Sequence, residues 1–579
     1  MLGLEYSFIE SKMKIQNPSD SIILTQDLQD ELDWYRTYRS FDPASYLKIK
    51  SYVINQYFKK FSIKAVVVGI SGGIDSAVVI GILDYIIKNT DTTLEKIIAV
   101  VAPYQSIKAG ASNQDLSYSK ALELCEQFDI SPTIVDLSTS LEEIIKITGD
   151  SNPWLRGQLV TNLRTPLFYY LASQSTDSGQ LAVVSGTTNL DEGAYIGYFA
   201  KVGDAMVDIQ PISDLHKSEV NKLATYLDIP KSIIDAKPTG DVFDGRTDEE
   251  MIGTNYDFVE LYFHYLTREK HFNEYFYRNL NSMAKVQFEK LTSRIENIHS
   301  YNSHKYGVKS PAKHFDILPT NVDNGWKNQK ELNLNTFFPK SSTAISDAKF
   351  TRYSTLKYTL PVITEPGVYD EYLSKSECTN LIKHFESLSL ERVGIHGGFN
   401  NEMDIDGSLR SKSYDIELSK YLFEKYLSLG IMNFKFINEI EAKVRNIRSG
   451  YYRPVAINPY FRFLSYQSGN YLVPHYDSET SFGPDFVTLE SVLIYLNSCP
   501  YGGATQFVTD PQSELEIDQY NFEDWQELAP QDQVLRSVSP LAGRVLVFDH
   551  RVLHQGQKLT RKNTLKKLLR TDLIYQIVE

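Results

Sequence analysis

The sequence predicts two folds in one chain, a doubly wound α/β parallel sheet followed by a mostly β jelly roll or barrel. Three observations carry this. Residues from about 45 to 310 alternate apolar β-branched runs with amphipathic stretches, the pattern of βαβ units and a parallel sheet. Beyond a polar stretch at about 315–355 the texture changes to short strand candidates, many aromatics and turn signals. A length of 579 residues is also more than one ordinary domain holds.

Taken in order, residues 1–44 read as an N-terminal helical extension. The first strand is Val66-Val67-Val68, followed by Gly69-Ile70-Ser71-Gly72-Gly73-Ile74-Asp75-Ser76 and a helical stretch at 77–87. A strand, a glycine turn and a helix start bring backbone N–H groups together on an anion, and the helix dipole favours it. The order Ser-Gly-Gly-x-Asp-Ser is not a Walker loop, which needs Gly-Lys-Ser/Thr, and it lacks the later glycines of a dinucleotide fingerprint. The plainer reading is an ordinary glycine-rich βα turn. Further strands are expected at 97–101, 133–135 and 181–184, with a helix at 117–128 between them. Helices at 260–268 and 276–296 close the α/β domain, which spans 45–315. Residues 316–358, with Pro319-Thr320-Asn321-Val322-Asp323-Asn324, read as a linker. The β domain covers 359–579, with a helix at about 375–387 and turns at Gly469-Asn470, Gly502-Gly503 and Pro540 with Gly543.

Composition narrows the class. An apolar fraction of 42% with 23% charged residues reads as soluble and globular, and no apolar run reaches membrane-spanning length. The N-terminus has no basic segment followed by an apolar core, so a cytoplasmic location is expected. A formal charge of −14 argues against nucleic acid as the main partner. Cys125, Cys378 and Cys499 are too few and too far apart for a disulfide framework or a cysteine zinc site.

The turn at 69–76 is followed by Ser185-Gly186-Thr187-Thr188-Asn189-Leu190-Asp191-Glu192 and Gly197-Tyr198-Phe199-Ala200-Lys201-Val202-Gly203-Asp204. Val207-Asp208-Ile209-Gln210-Pro211-Ile212, His216-Lys217, Lys237-Pro238-Thr239-Gly240-Asp241 and Thr247-Asp248-Glu249 come next. With Asn162-Leu163-Arg164 and Ser303-His304-Lys305, the series resembles NAD synthetase, an ammonia-dependent PP-loop ATP pyrophosphatase family. The resemblance implies an adenine nucleotide alpha hydrolase-like fold. It implies amidation of nicotinic acid adenine dinucleotide (deamido-NAD) with ammonia through an acyl-adenylate, releasing AMP and pyrophosphate. It puts Mg²⁺ on Asp75 and Glu192, and ATP on Gly69, Ser71, Gly72, Gly73, Asp75, Ser76, Thr187, Lys217 and Thr239. Deamido-NAD falls to Arg164, Lys201, Asp208, His304 and Lys305, with Asp75, Lys201 and Lys217 as the catalytic candidates. These residue types suit the chemistry, because adenylating a carboxylate brings two anions together and cations must offset their repulsion. Singly, Lys217 or Glu192 also reads as a solvated helix face, and Arg164 as a structural ion pair.

Two departures bear on the substrate. The family's Lys-Tyr-Gly-Asp-Gly-Gly stands here as Lys201-Val202-Gly203-Asp204-Ala205-Met206, and its Pro-Thr-Ala-Asp as Pro238-Thr239-Gly240-Asp241. Side chains at Ala205 and Met206 narrow a place where backbone approaches ligand, which leaves a different carboxylate open as substrate. Cys125 lies in an amphipathic helix without a glutaminase context, so ammonia comes from solution or from a partner. The resemblance also implies a homodimer through this domain.

A second constellation lies in the β domain. His475-Tyr476-Asp477 follows Gly469-Asn470-Tyr471, and His554 comes much later. On a strand, residues i and i+2 share a face, so His475 and Asp477 can bind one metal. A distant histidine then completes a two-His-one-carboxylate triad with open positions. His-x-Asp alone is equally an ordinary half-exposed strand. Around it stand Arg462-Phe463-Leu464-Ser465-Tyr466, Ser491-Val492-Leu493-Ile494-Tyr495-Leu496-Asn497 and Gly502-Gly503-Ala504-Thr505-Gln506-Phe507. Pro540, Gly543, His554-Gln555-Gly556 and Leu569-Arg570-Thr571-Asp572 complete the series. It resembles the 2-oxoglutarate/Fe(II) dioxygenases of the prolyl 4-hydroxylase type over about 360–579. The resemblance implies a double-stranded β-helix, Fe²⁺ on His475, Asp477 and His554, and use of 2-oxoglutarate and O₂, with ascorbate as an optional reductant. His550 competes with His554 for the iron. Tyr466, Thr505 and Lys566 are expected on 2-oxoglutarate, with Arg570 as the alternative to Lys566 on the same strand face. Lid loops such as 393–409 would admit a peptidyl proline or a small molecule. The chain thus reads as a bifunctional ligase and dioxygenase. The alternatives are an amide synthetase for another carboxylate coupled to its hydroxylation, or one domain kept as a non-catalytic binding or dimerisation module.

Overall fold

Strand β1 (Ala65–Gly69) is a run of alanine and valines buried on both faces, and it forms the middle of the first sheet. In the computed structural model, which describes residues 23–104, 114–149, 153–203, 205–239, 247–267, 270–306, 312–318, 320, 362–365, 367–393, 408–430, 434–515, 519 and 527–578, the chain divides into two units. Residues 1–36 and 41–329 make the first, and 37–40 with 330–578 the second. Residues 321–358 of the expected linker, the loop at 394–407, Asp204, Gly240 and Asp241 lie outside the described residues. No described helix is long and apolar enough to cross a membrane.

The first sheet adds β2 (Lys96–Val101), β3 (Thr133–Ile134), β4 (Ala182–Ser185), β5 (Ile209–Gln210) and β6 (Lys313–His314) to β1. Its order is β3-β2-β1-β4-β5-β6, and every pair is parallel. Parallel neighbours need crossovers, which the helices Ile74–Asn89 and Gln114–Gln127 supply between β1, β2 and β3. The helix Pro153–Asp177, with Pro166 inside it, then carries the chain back to β4 on the other side of β1. The order therefore reverses between β1 and β4, and their carboxyl ends open a crevice at this switch point.

The helix expected at 276–296 is not one helix. The chain forms Lys270–Asn279 and Ser282–Asn302, because the Asn281 side chain accepts the Ala284 N–H and starts a new helix. The helix Pro43–Phe61 runs across residues 44 and 45. Asp42 caps it by accepting the Ser45 N–H, a bond worth about 1 kcal/mol in such positions, and Pro43 fits its first turn. Residues beyond 315 pack into the first unit. The Ile317 and Leu318 N–H groups donate to Asp214 Oδ2 at 2.8 and 3.0 Å. Asp214 Oδ1 receives Lys50 Nζ at 2.7 Å and the Tyr46 hydroxyl at 2.8 Å, and Lys50 also donates to the Phe315 carbonyl. The Lys50 and Asp214 side chains have no exposed surface.

The second unit has two antiparallel sheets. The larger runs β7 (Val362–Glu365), β8 (Val368–Asp370), β18 (Val545–Asp549), β15 (Phe486–Tyr495), β20 (Leu565–Ile577), β13 (Tyr460–Gln467), β10 (Ser408–Tyr414) and β9 (Glu391–Val393). Strand β12 (Gly450–Ile457) branches from β20 and carries β11 (Lys435–Ile437). The smaller sheet is β14 (Leu472–His475), β19 (His554–Gly556), β16 (Thr505–Val508) and β17 (Val534–Val538), in that order. Along β13, Phe461 and Phe463 turn one way and Leu464 and Tyr466 the other, as pleating requires. The first pair meets Phe385 of helix Lys375–Glu386 and Leu422 of helix Ile416–Leu427. The second pair meets Phe507 and Val538 of the small sheet. Three layers result, and β15 between them is buried at all ten positions.

Candidate active sites

A cleft of about 390 Å³ opens at the carboxyl ends of β1 and β4. Gly69, Ser71, Gly72, Gly73 and Asp75 line it from the turn, facing Thr187, Glu192, Lys217, Thr239, Arg164 and Lys305. Gly72 has φ +77°, and a Cβ there would stand 2.3 Å from the Ser117 carbonyl oxygen, so the turn needs glycine. The helix Ile74–Asn89 starts at Gly73 with no side-chain cap, which leaves first-turn N–H groups for an anion. Ser76 is buried and donates to the Gly73 carbonyl at 3.0 Å, bracing the turn from behind.

The charged centre of the cleft is Lys217. Its Nζ lies 2.5 Å from Asp75 Oδ2 and 3.1 Å from Glu192 Oε1. Asn189 donates to the other Asp75 oxygen at 2.9 Å, and the Tyr256 hydroxyl donates to Glu192 at 2.8 Å. Lys217 is placed by the start of helix Lys217–Tyr226. There Asp191 takes the Lys217 N–H at 2.8 Å and lies 2.6 Å from the buried His216 Nδ1. Burial raises the Glu192 carboxyl; Lys217 works against this, and Asp75 adds to it. Burial would lower Lys217, but Asp75 and Glu192 outweigh it and hold the ammonium above its ordinary range. Two carboxylates sharing one cation position beside an anion-binding turn fit Mg²⁺, which takes few protein oxygens and keeps its remaining places for water and phosphate.

The other expected residues divide. Arg164 lines the cleft and donates to the Ala102 carbonyl at 3.2 Å. Lys305 lines it too, donating to the Gly197 and Phe199 carbonyls at 2.8 and 2.7 Å. Burial, with Lys201 second, lowers it to about 8. Lys201 and His304 are exposed and do not line the cleft. Asp208 is used elsewhere: its carboxylate accepts the Val184 N–H at 2.8 Å and the Tyr169 hydroxyl at 3.3 Å, tying β4 to helix Pro153–Asp177. Met206 lines the cleft and is 41% exposed. Tyr256 was missed because it comes from a helix 64 residues beyond Glu192, with no local signal.

In the second unit β14 and β19 set His475 directly opposite His554. With Asp477 they offer one ligand atom each, all within 4.8 Å of one another. Both imidazole Nε2 atoms lie 3.7 Å from an Asp477 oxygen. The Nδ1 atoms lie 2.8 Å from the Val473 carbonyl and 2.9 Å from the Val552 carbonyl. A carbonyl only accepts, so Nδ1 carries the hydrogen in each ring and the Nε2 lone pairs are left for a metal. Burial, reinforced by His475, lowers His554 to about 4, so its ring is neutral. Two imidazoles and one carboxylate converging this way fit non-haem Fe(II). His550 is not in this cluster. It is fully buried with Nε2 3.3 Å from Asp572 Oδ1, and its carbonyl takes the Asp477 N–H at 3.0 Å.

Lys566 and Arg570 also separate. Arg570 Nη2 lies 2.6 Å from Asp477 Oδ1 and 3.6 Å from Asp572. Ser491 donates to the other Asp477 oxygen, so the carboxylate is held from both sides. Lys566 is buried, with Nζ 4.9 Å from the Tyr466 ring centroid and 5.8 Å from that of Tyr495. Burial lowers it to about 8, and among the described residues no carboxylate pairs with it. The two cations thus differ: Lys566 is a buried ammonium with no carboxylate partner among the described residues, while Arg570 is paired with Asp477. The Tyr495 hydroxyl donates to Thr505 Oγ1 at 2.7 Å beside Lys566, a contact between strands of the two different sheets that the sequence does not reveal.

The NAD synthase family matches residues 46–308. Over 266 residues the chain is 31% identical to the NH(3)-dependent NAD(+) synthetase of Mesoplasma florum, a match covering 45% of this chain and 93% of that protein. Among solved structures, an NMN synthetase from Francisella tularensis is 28% identical with a TM-score of 0.37, covering 46% of this chain and 96% of that one. A Pseudomonas putida prolyl-4-hydroxylase is 15% identical with a TM-score of 0.22, covering 36% of this chain and 90% of that one.

Proposed function

The chain belongs to the NAD synthase family through residues 46–308, and we propose that this half amidates deamido-NAD with ammonia and ATP. The observation that carries the reading is the convergence of Asp75, Glu192 and Lys217 on the mouth of the glycine turn. The turn's N–H groups and the helix start behind them hold the phosphates. Mg²⁺, held by Asp75 and Glu192, would supply the positive charge that lets a carboxylate approach ATP. Lys217 adds a fixed cation at the same place. The substrate carboxylate oxygen attacks the α-phosphorus and pyrophosphate leaves. Ammonia then adds to the acyl carbon, AMP departs and a proton is lost from nitrogen. No side chain forms a covalent bond in this scheme, and rate comes from orientation and charge. AMP release that requires both deamido-NAD and ammonium tests it; turnover only with another carboxylate would sink it. Met206 in the cleft lining favours that second reading.

For residues 359–579 we infer a jelly-roll oxygenase that uses 2-oxoglutarate. The carrying observation is the His475, Asp477 and His554 cluster with Lys566 unpaired nearby. Fe(II) bound there would supply O₂ activation coupled to decarboxylation of 2-oxoglutarate. Lys566 anchors the far carboxylate, Tyr466 and Tyr495 wall it in with Thr505, and Arg570 with Ser491 fixes Asp477. Succinate formation from 2-oxoglutarate, abolished by His475→Ala, is the expected result; an iron-loaded chain that forms none would reject the reading and leave a silent module. A homodimer through the first unit and a cytoplasmic location belong to the same proposal. Sedimentation of the full chain and microscopy of the tagged protein test them.

A further inference from the structure

Three neighbouring strands place cations directly opposite one another on one face. Lys412 on β10 is paired with Arg462 on β13, and Arg462 with Arg570 on β20. Like charges opposite each other weaken a sheet, so a row of three has a local cost that needs a return elsewhere. The row faces the small sheet, because Arg462 alternates with Phe461 and Phe463, which turn to the helices. One end of the row is the iron site, where Arg570 meets Asp477 at 2.6 Å. Each further strand lies about 4.8 Å away, so Arg462 and Lys412 stand roughly 5 and 10 Å outward from it. Asp477 neutralises Arg570, but among the described residues no carboxylate pairs with the half-buried Arg462.

The next row on the same face is aromatic. Tyr414 is opposite Tyr460 with ring centroids 4.8 Å apart, and the Arg462 guanidinium lies 5.2 Å from the Tyr460 ring centroid. Tyr414 is 36% exposed. In a chain with a formal charge of −14, a guanidinium beside a phenol ring, with a lysine opposite it on the next strand, forms a distinct local environment. Cations of this kind hold phosphate oxygens, and rings of this kind stack planar bases.

We propose that this row and ring pair bind a nucleotide as the molecule the second site acts on, with phosphate on Arg462 and Lys412 and the base against Tyr414 and Tyr460. The assignment rests on the oxygenase reading of that site. It also links the halves, since AMP and a dinucleotide are the products proposed for the first site.

Equilibrium dialysis of the full chain with AMP tests it. Two AMP are expected per chain, falling to one in R462E with at least tenfold weaker binding at the lost site, and staying at two in R462K. K412E, at an exposed position, is expected to cause the same loss without endangering the fold. Stoichiometry that is equal in parent, R462E and K412E overturns the proposal. So does succinate formation accelerated by a proline-containing peptide but not by AMP or NAD. Succinate formed from Fe(II) and 2-oxoglutarate alone reports on the oxygenase reading by itself. If that fails while R462E still loses one AMP, the nucleotide subsite stands and the oxygenase reading falls.

Discussion

Lys217 occupies the place between Asp75 and Glu192 that a divalent cation would share. Removing its charge leaves two carboxylates facing each other in a nearly closed site, and breaking such a buried pair costs about 3–5 kcal/mol. Lys217→Ala is expected to lower the melting temperature and to cut kcat/KM for NAD formation on the order of 100-fold or more. Mg²⁺ should then raise its melting temperature more than the parent's; equal shifts in thermal scans would count against a shared cation position. Lys566 makes a pH prediction. Its ammonium is held down to about 8 by burial, so the charged form dominates below that value and is lost above it. Affinity for 2-oxoglutarate is expected to be flat up to about 8 and to fall up to tenfold per pH unit beyond, and Lys566→Arg should abolish the bend. Sequence reasoning could not separate Lys566 from Arg570, because a spacing of four puts both on one strand face. The partner that decides, Asp477, comes from the loop after β14.

At the scale of elements, the turn after β1 was readable because its glycines, the valine run before it and the helix after it all agree. Its constraint is steric. Gly72→Ala would push Cβ into the Ser117 carbonyl at a positive φ, which is expected to cost about 1–3 kcal/mol in denaturant titration and to weaken ATP binding at the same time. The break between helices Lys270–Asn279 and Ser282–Asn302 was not readable in the same way. Apolar residues continue through Leu280, and only the capping bond of Asn281 marks the new start. Asp208 adds what the motif does not show. It sits in a motif with a ligand-binding role by resemblance, and its oxygens also accept from Val184 and Tyr169 within the scaffold.

For the whole molecule, two textures in the sequence correspond to two units with separate cores, one built on a parallel sheet and one on antiparallel sheets. Each site lies within one unit, so ligands should stabilise them separately. Calorimetry of the full chain is expected to show two transitions, with Mg·ATP raising one and Fe(II) with 2-oxoglutarate raising the other; a single transition shifted by both would show the halves melting as one. The clasp on Asp214 adds a matter of timing. Lys50 is translated early, but the Phe315 carbonyl it binds and the Ile317 and Leu318 amides that share its carboxylate arrive last. At about 5–20 residues per second a ribosome needs roughly 15–50 s to span that interval. Through that time the lysine keeps its water, and the N-terminal half stays unsealed until its final strand has been made.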